Sequence, residues 1–405
     1  MTNDKKIRLA WVTEVISHFE VPLFRIIANF KGVDFQLFFS RNIGEKTEFD
    51  PAWQQDVDWG VSLTKGYPSM FCSSPQNLIE ELHRFSPDTI MLYGYRGPFL
   101  GRALLYGLEH NIPLGLRATA NYQLDRRNPW KSLLRPLAIP IFRLFQAVHY
   151  GGRMSYRYYR LMGVPRKKLF FVPYSIDTDY FLKARERLPR AREEVRRKLG
   201  FPPDAFVVLF VGQLSWVKGP DIALHVFRRL YSRLPRARFL VVGDGVMRRE
   251  LEAEAHALLP PGVVQFVGFQ NQQTIPAYYL AADVAIFTSR YETWGRAVNE
   301  CLACGLPCIV TNRMGAAYDL VQNGVTGYVI PYGNWSLFVE NLYYMACNNE
   351  MMGRLSIFSV ENAISFSYER NLTNFLHSLN KVYTNKLYFR STYLLYFKNY
   401  LRLFV

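Results

Sequence analysis

The segment "VAIFTSRYETWGRAVNECLACGLPCIV" (residues 284–310) has two apolar runs on either side of a helix-like stretch. A short buried strand, a loop, a helix ending at a glycine and a second apolar strand predict a βαβ unit with parallel strands. Glu292 and Glu300 stand on either side of Gly295 at the strand-to-helix junction, in a chain whose net charge is +16. This junction is therefore a candidate functional site.

The alternation of strands and helices extends in both directions from this unit. Strand-like runs fall into two sets, first "IRLAWV", "VDFQLFF", "TIMLY", "IPLGLR" and "LFFVPY", then "AFVVLFVG", "ARFLVVGDG", "VVQFVG", "VAIFTS", "PCIVT" and "GYVIP". An Arg-rich polar stretch after Ile176 separates the two sets. We therefore predict an α/β protein with two doubly wound domains, residues 1–180 and 185–365.

Composition supports this size of fold. With 405 residues, 49% of them hydrophobic and 20% charged, the chain can form two domains with cores of their own. No signal-peptide pattern precedes the first strand, and no apolar run reaches the roughly 18 residues of a membrane span. Five cysteines without framework spacing predict reduced thiols, and the pair in "CLAC" is interpreted as core rather than as metal ligands. These features favour a cytoplasmic protein.

Positive charge is concentrated in two segments. Residues 126–168 contain eleven Lys or Arg and no acid, and the tail at residues 383–405 contains four, with eight Tyr or Phe. Cations interleaved with apolar side chains suit an anionic membrane surface, which we favour as a partner. Nucleic acid is the rival partner, which we do not expect, and a solvated basic face is the plainest alternative.

The first glycine-ended strand of the second set leads into "FVGQLSWVKGPDIAL" (residues 210–224). Pro220 and Asp221 are start signals for a helix, whose N-terminus offers unpaired N–H groups and a partial positive charge to a phosphate. Lys218 precedes that start and adds a full charge, although the spacing differs from that of a Walker P-loop. The alternative is an ordinary turn with a surface lysine.

Two further strands end at glycines, Gly243 in "VVGDG" and Gly268 in "FVGF". Glycine adopts positive φ and allows close backbone approach, so either strand end is a candidate ligand contact. The backbone beside Phe269 could meet the edge of a planar base. Ordinary strand ends explain both patterns equally well.

The two glutamates of the opening segment are candidates for binding sugar hydroxyls. An ionised carboxylate only accepts hydrogen bonds, and vicinal hydroxyls are paired donors. Phosphate at the helix start would be repelled by either carboxylate, so we expect neither Glu292 nor Glu300 to touch it. If helical throughout, their separation spans about 12 Å, which suits the two sugars of a nucleotide diphosphate-sugar. A capping glutamate and a solvated glutamate are the alternative.

Taken together, the ordered motifs "VGQLSWVKG", "VVGDG", "FVGF", "ETWGRAVNECLACGLP" and "NGVTGYVIP" resemble retaining glycosyltransferase family four, a group 1 family. The resemblance is strong over residues 205–335. It implies the GT-B fold of two Rossmann-like domains facing across a cleft, with acceptor binding in residues 1–180 and nucleotide-sugar binding in residues 185–365. It also implies that a helix at residues 366–382 crosses back to the first domain, ahead of the basic aromatic tail.

The resemblance implies roles for individual residues. Glu292 is similar to the glutamate near the donor sugar, Glu300 to that on the ribose, and Lys218 to the lysine that meets the diphosphate. The implied catalytic residues are Lys218 and Glu292. The implied donor-binding residues are Gly212, Gln213, Lys218, Gly243, Gly268, Phe269, Gly295 and Glu300.

Three positions depart from the family pattern. Gln213 stands where an arginine commonly meets phosphate, which removes one positive charge from the site. Ala316 and Asp319 replace a glycine and a glutamate in the loop "RMGAAYDLV". These departures keep open a catalytically weak scaffold that binds a sugar nucleotide.

The implied activity is metal-independent, retaining transfer of a sugar from a nucleotide diphosphate-sugar, without a further cofactor. The acceptor we expect is a lipid-linked or envelope glycan precursor, met by a cytoplasmic protein peripheral to the inner face of the membrane. Two Asp-x-Asp strings, Asp56/Asp58 and Asp177/Asp179, are interpreted as unrelated to metal. A GT-B sugar-nucleotide epimerase or phosphorylase is the alternative enzyme.

Overall fold

The computed structural model describes residues 6–41, 62–118 and 139–384, with the backbone alone of two short strands between residues 47 and 58. The chain divides into two compact units. The first comprises Met1–Thr47, Val61–Pro173 and Tyr368–Val405, and the second Glu48–Gly60 and Tyr174–Ser367.

These unit boundaries lie a few residues from the predicted domain ends at 180 and 365. The carbonyl of Val172 accepts a hydrogen bond from Arg117 of the first unit at 2.8 Å. By contrast, the ring of Tyr174 lies 5.9 Å from that of Trp294 in the second unit. The chain therefore passes between units at Pro173, before the loosened sequence pattern begins.

The first unit is built on a seven-stranded sheet in the order β5-β2-β1-β6-β7-β8-β9, and its strand pairings are parallel. In chain order the strands up to residue 173 are β1 (Ile7–Thr13), β2 (Val33–Phe39), β3 (Thr47–Asp50), β4 (Gln55–Asp58), β5 (Ser69–Phe71), β6 (Thr89–Tyr93), β7 (Leu114–Arg117), β8 (Ala147–Tyr150) and β9 (Leu169–Phe171). The helices are α1 (Val21–Ala28), α2 (Pro75–Phe85), α3 (Pro98–Glu109), α4 (Ile139–Arg143) and α5 (Arg153–Leu161), with a 3-10 turn at Arg166–Lys168. The strands β3 and β4 form a separate two-stranded sheet, whose residues from Glu48 onward belong to the second unit.

Both faces of the first sheet are covered. Along β1, Leu9 and Trp11 enter one apolar cluster, while Ala10 and Val12 enter the cluster on the opposite face. A strand buried on both sides reads as a continuous apolar run, which is why "IRLAWV" does not alternate with polar residues. The last helix of the description, at Tyr368–Thr384, belongs to this unit, and its Phe375 packs 5.8 Å from Trp11.

The second unit is built on a six-stranded parallel sheet in the order β12-β11-β10-β13-β14-β15. Its strands are β10 (Phe206–Val211), β11 (Ala237–Val242), β12 (Val264–Phe266), β13 (Val284–Phe287), β14 (Cys308–Thr311) and β15 (Gly327–Ile330). Its helices are α6 (Thr178–Leu182), α7 (Ala184–Arg187), α8 (Ala191–Lys198), α9 (Pro220–Tyr231), α10 (Arg248–Leu258), α11 (Ile275–Ala281), α12 (Arg296–Ala303), α13 (Ala317–Leu320), α14 (Trp335–Ala346) and α15 (Asn349–Ile364), and the chain then enters α16 (Tyr368–Thr384) of the first unit.

The prediction of two doubly wound parallel sheets is confirmed, and every predicted strand run contains an observed strand. No predicted strand run corresponds to β5, a short strand at the sheet edge with two exposed residues. None corresponds to β8 either, because that strand lies within the segment read only for its basic charge. The cysteines of "CLAC", Cys301 and Cys304, are buried and free, as predicted for core thiols.

Several predictions concern residues outside the described part of the chain. They include the tail beyond residue 384 and the portion of the basic segment at residues 126–138. Within the described residues, no helix is both long and apolar enough to span a membrane.

Candidate functional site

The candidate site lies at the carboxyl ends of β10 and β13, where the strand order of the second sheet reverses. Open α/β sheets bind ligands in the crevice at such a switch point. The loops that follow these two strands are joined directly, since Thr288 donates to the carbonyl of Gly219 at 2.7 Å. In addition, the Arg290 N–H donates to the carbonyl of Val217 at 2.8 Å.

This junction brings Lys218 and Glu292 together. The Lys218 ammonium donates to Oε2 of Glu292 in an ion pair, while Oε1 accepts from the Thr293 N–H at 2.9 Å. Burial would raise the pKa of Glu292, but the Lys218 charge and the Trp294 N–H outweigh it and lower that pKa below its ordinary value. Glu292 is therefore ionised at neutral pH, with Lys218 held beside it.

Arg290 links the loop between β10 and α9, which contains Lys218, to the loop between β13 and α12, which contains Glu292. Its guanidinium makes two hydrogen bonds to the Asp221 carboxylate, at 2.8 and 2.6 Å, and a third to the carbonyl of Trp216 at 2.8 Å. The same guanidinium lies 4.8 Å from the centre of the Trp216 ring. A bidentate, stacked arginine is more rigid than a lysine would be, so the backbone around Lys218 is held in place. No sequence pattern indicated a role for Arg290 or Trp216.

Glycines bring the loops after β13 and β14 into contact. Gly295 begins α12 with a φ of +102°, and a Cβ there would lie 2.3 Å from Cε of Met314. The N–H of Gly315 donates to the carbonyl of Glu292 at 3.0 Å, and a Cβ on Gly315 would lie 1.8 Å from the carbonyl oxygen of Thr293. The backbone of the loop that contains Glu292 can therefore adopt this path because Gly295 and Gly315 have no side chains.

The three strand-end glycines Gly212, Gly243 and Gly268 lie in a row. The N–H of Gly243 donates to the carbonyl of Gly268 at 2.9 Å, and a Cβ on Gly243 would lie 1.9 Å from the carbonyl oxygen of Gly212. A Cβ on Gly212 would meet no atom within 4 Å, so this glycine borders open space. Gln213 and Phe269, the next residues of their loops, are half-buried.

Glu300 lies further along α12 and has a different environment from Glu292. The phenol of Tyr279 donates to its Oε2 at 2.5 Å. Burial raises the pKa of Glu300 to about 7, against the opposing effects of the Tyr279 hydrogen bond and the Arg296 charge. Arg296 lowers the pKa of Glu292 as well, so one cation acts on both carboxylates. At neutral pH the two predicted glutamates thus differ in protonation.

The described part of the chain has no group of three or more His, Cys, Asp and Glu side chains placed to hold a metal ion. Asp177 caps α6 by accepting the Tyr180 N–H at 3.0 Å, and Asp179 lies 3.8 Å from Lys183. These structural contacts account for the second Asp-x-Asp string. The first, Asp56/Asp58, lies on β4, whose side chains are outside the description.

The candidate site lies in a part of the chain that matches a known protein family. Residues 191–357, inside the second unit, match the family model for group 1 glycosyl transferases. A D-inositol 3-phosphate glycosyltransferase of Actinosynnema mirum is 31% identical over 218 residues, covering 52% of this chain and 51% of the relative. Spore coat protein SA of Bacillus subtilis is 32% identical over 201 residues, covering 47% and 53%. The chain thus spans about half the length of the curated relatives it matches.

Solved structures extend the likeness to the first unit. Anabaena Alr3699/HepE, crystallised with UDP, superposes with a TM-score of 0.73 at 17% identity, covering 93% of this chain and 99% of that one. Sucrose-phosphate synthase of Thermosynechococcus elongatus gives a TM-score of 0.68 at 15% identity, covering 94% and 100%. At these identities the likeness supports the fold alone. Residues 191–357 of the second unit are therefore similar to the group 1 glycosyl transferases, and the two units have Rossmann-like folds that match those of GT-B glycosyltransferase structures.

Proposed function

We propose that this protein is a retaining glycosyltransferase that moves a sugar from a nucleotide diphosphate-sugar to an acceptor. The observation that supports the proposal is the ion pair between Lys218 and Glu292. It lies ahead of α12, within the residues that match the group 1 family model. A cation and an acceptor-only carboxylate stand side by side there, as a diphosphate and an adjoining sugar require. The UDP bound by HepE and the UDP-glucose of a second HepE complex are ligands of this chemical class.

In the proposed reaction, breaking the bond between sugar C1 and the diphosphate leaves negative charge on the leaving group. Lys218 and the N–H groups at the start of α12 stabilise that charge without reorganising, because Glu292 already holds the ammonium in place. Glu292 accepts hydrogen bonds from the donor sugar, and Glu300 from the ribose. The departing phosphate takes the acceptor's proton, so the mechanism requires no bound metal and no protein base.

The proposed acceptor is a lipid-linked or envelope glycan precursor at a membrane surface. The support for this part is the charge of the chain, +16 overall, with its acid-free basic segment at residues 126–168. Each Lys or Arg near an anionic surface contributes about 1 kcal/mol. The protein would accordingly bind the membrane peripherally.

A thermal-shift panel of UDP-, GDP- and ADP-sugars tests the donor class. A true donor at 100 times its dissociation constant adds about 2.7 kcal/mol of stability. The donor so identified is then assayed for transfer and hydrolysis, with Glu292→Gln as the control. Binding without turnover in the wild type would favour a sugar-nucleotide-binding scaffold, and stabilisation by none of the three would contradict the proposal.

The two glutamates are expected to serve opposite ends of the donor. Glu300→Ala should weaken binding of the free nucleotide diphosphate by roughly 10- to 100-fold, the scale of one or two hydrogen bonds to a charged acceptor. Glu292→Ala should spare the free nucleotide and impair use of the nucleotide-sugar. Calorimetric titration of both ligands into both variants measures the difference. Equal losses for both ligands in both variants would rule out this division.

Donor affinity is expected to rise with pH around neutrality. Glu300, whose pKa is about 7, accepts two ribose hydroxyls only when ionised, and about a tenth of it is ionised at pH 6 against nine tenths at pH 8. Affinity for the nucleotide-sugar should therefore be about tenfold lower at pH 6 than at pH 8. A diphosphate diester does not titrate in this range. Glu300→Gln should remove the pH dependence, and Tyr279→Phe should move its midpoint upward; a profile unaffected by either change would refute the assignment.

A further inference from the structure

The first unit contains a groove that shares no residue with the site at the carboxyl ends of β10 and β13 in the second unit. One wall consists of the 3-10 turn with Arg166 and Lys167, which precedes β9. The other wall is one face of α16, where Asn374, His377 and Lys381 recur at helical spacing. The groove has a volume of about 540 Å³.

The floor of this groove is apolar. It is formed by β9, the edge strand of the seven-stranded sheet, with Leu169, Phe170 and Phe171 all half-buried. The ring of Phe170 lies 5.7 Å from that of His377 on the helix. Aromatic surface therefore remains partly exposed between two rows of polar and charged side chains.

The charge of the groove is of one sign. Arg166, Lys167 and Lys381 line it, and its lining contains no Asp or Glu. Among the described residues, neither Arg166 nor Lys167 has an ion-pair partner, and both are exposed. The neighbouring Lys168 anchors the turn by donating to the carbonyls of Arg143 and Phe145 at 3.1 and 2.7 Å. Burial lowers the pKa of Lys168, and the positive charge of Lys167 lowers that pKa further.

We propose that this groove binds the phosphate of an anionic lipid headgroup and holds the protein on an anionic membrane surface. The inference rests on the membrane part of the proposed function and gives it a location. Cations meet the phosphate, while the partly exposed rings of Phe170 and Phe171 enter the apolar edge of the headgroup region. A free phosphate would gain nothing from that apolar floor. Residues 385–405, whose sequence adds further cations and aromatics, follow directly after the helix that carries Lys381.

The test is co-sedimentation of the full chain with phosphatidylcholine vesicles, with or without phosphatidylglycerol. Three proteins are compared: the wild type, Arg166→Ala/Lys167→Ala, and Lys31→Ala/Arg102→Ala. The last removes two exposed cations of the same unit outside the groove, so the net charge of the two double variants is identical. The groove variant should bind anionic vesicles roughly 10- to 30-fold less tightly than the wild type. The vesicle binding of the control variant should be much less affected. Nucleotide-sugar binding should be unchanged in both.

Each result that would contradict the proposal points to a different explanation. Equal losses in the two double variants would show net charge acting without a groove, and the membrane context would survive. No preference of the wild type for anionic vesicles would remove both the groove and the membrane part, leaving sugar transfer to be judged by donor binding. Displacement by millimolar glycerol phosphate, or variant-sensitive binding of RNA, would assign the groove to a soluble phosphate or to nucleic acid. Self-association of the groove variant with intact vesicle binding would show that the cations only protect the open edge of β9.

Discussion

Replacing Lys218 with alanine is expected to lower the turnover of sugar transfer on the order of 100-fold or more, with a smaller loss of donor affinity. The leaving diphosphate gains negative charge as the bond to the sugar breaks, so the interaction with the ammonium grows towards the transition state. The structure adds a second cost. Glu292, whose side chain is 12% exposed, would lose the ammonium with which its Oε2 is paired and with it the main cause of its lowered pKa.

Single-turnover rates and donor dissociation constants separate the two effects. Lys183→Ala is the matched control, because that lysine is 64% exposed in a surface pair with Asp179 of the same unit. We expect no change in turnover for this control. Donor affinity lost with turnover unchanged in Lys218→Ala would show that Lys218 only binds the donor. Glu292→Gln is compared in the same assays. If it loses turnover to the same extent but still binds the free nucleotide as the wild type does, the defect lies in the contact with the donor sugar.

Gly243→Ala is expected to be strongly destabilising to the second unit. The added Cβ would lie 1.9 Å from the carbonyl oxygen of Gly212, and φ at Gly243 is +139°, which side-chain-bearing residues rarely adopt. The backbone of one strand end must move, which separates the row of strand-end glycines. We expect a loss of about 3 kcal/mol or more in the free energy of unfolding, the scale of overpacking combined with backbone strain.

Chemical denaturation monitored by circular dichroism measures this loss, and two further glycines dissect it. Gly262→Ala has a φ of +79° with no atom within 4 Å of the new Cβ, so it reports the conformational cost alone, about 1 kcal/mol. Gly212→Ala also meets no atom within 4 Å, but its methyl would enter the open space beside the site. Because the φ of Gly212 is +145°, this substitution should carry a conformational cost like that of Gly262→Ala, and it should lower donor affinity in addition. Equal destabilisation by Gly243→Ala and Gly262→Ala would show that the close approach to Gly212 is relieved by a small shift.

Most secondary structure of this protein could be predicted from local patterns. Buried parallel strands read as apolar runs, as "FVVLFV" of β10 does, and positive-φ glycines mark their ends, as Gly212 does. The failures have physical causes too. Three-residue β5 lies at a sheet edge with Met70 and Phe71 exposed, so no buried run identifies it. Pro276 does not interrupt the helix Ile275–Ala281, because proline occupies its first turn, where no N–H is needed.

Local sequence patterns predict the two doubly wound sheets, the helix that begins after Gly295 and the placement of Glu292 and Glu300 around it, because periodicity and glycine conformation act within a few residues. Which side chains meet depends on tertiary packing. The pairing of Lys218 with Glu292 joins residues 74 positions apart, and Tyr279 reaches Glu300 across 21 positions. These contacts depend on β10 lying beside β13, which strand pairing over long chain separations sets. The opposite pKa shifts of the two glutamates follow from the same packing, because burial and a neighbouring charge are properties of position in space.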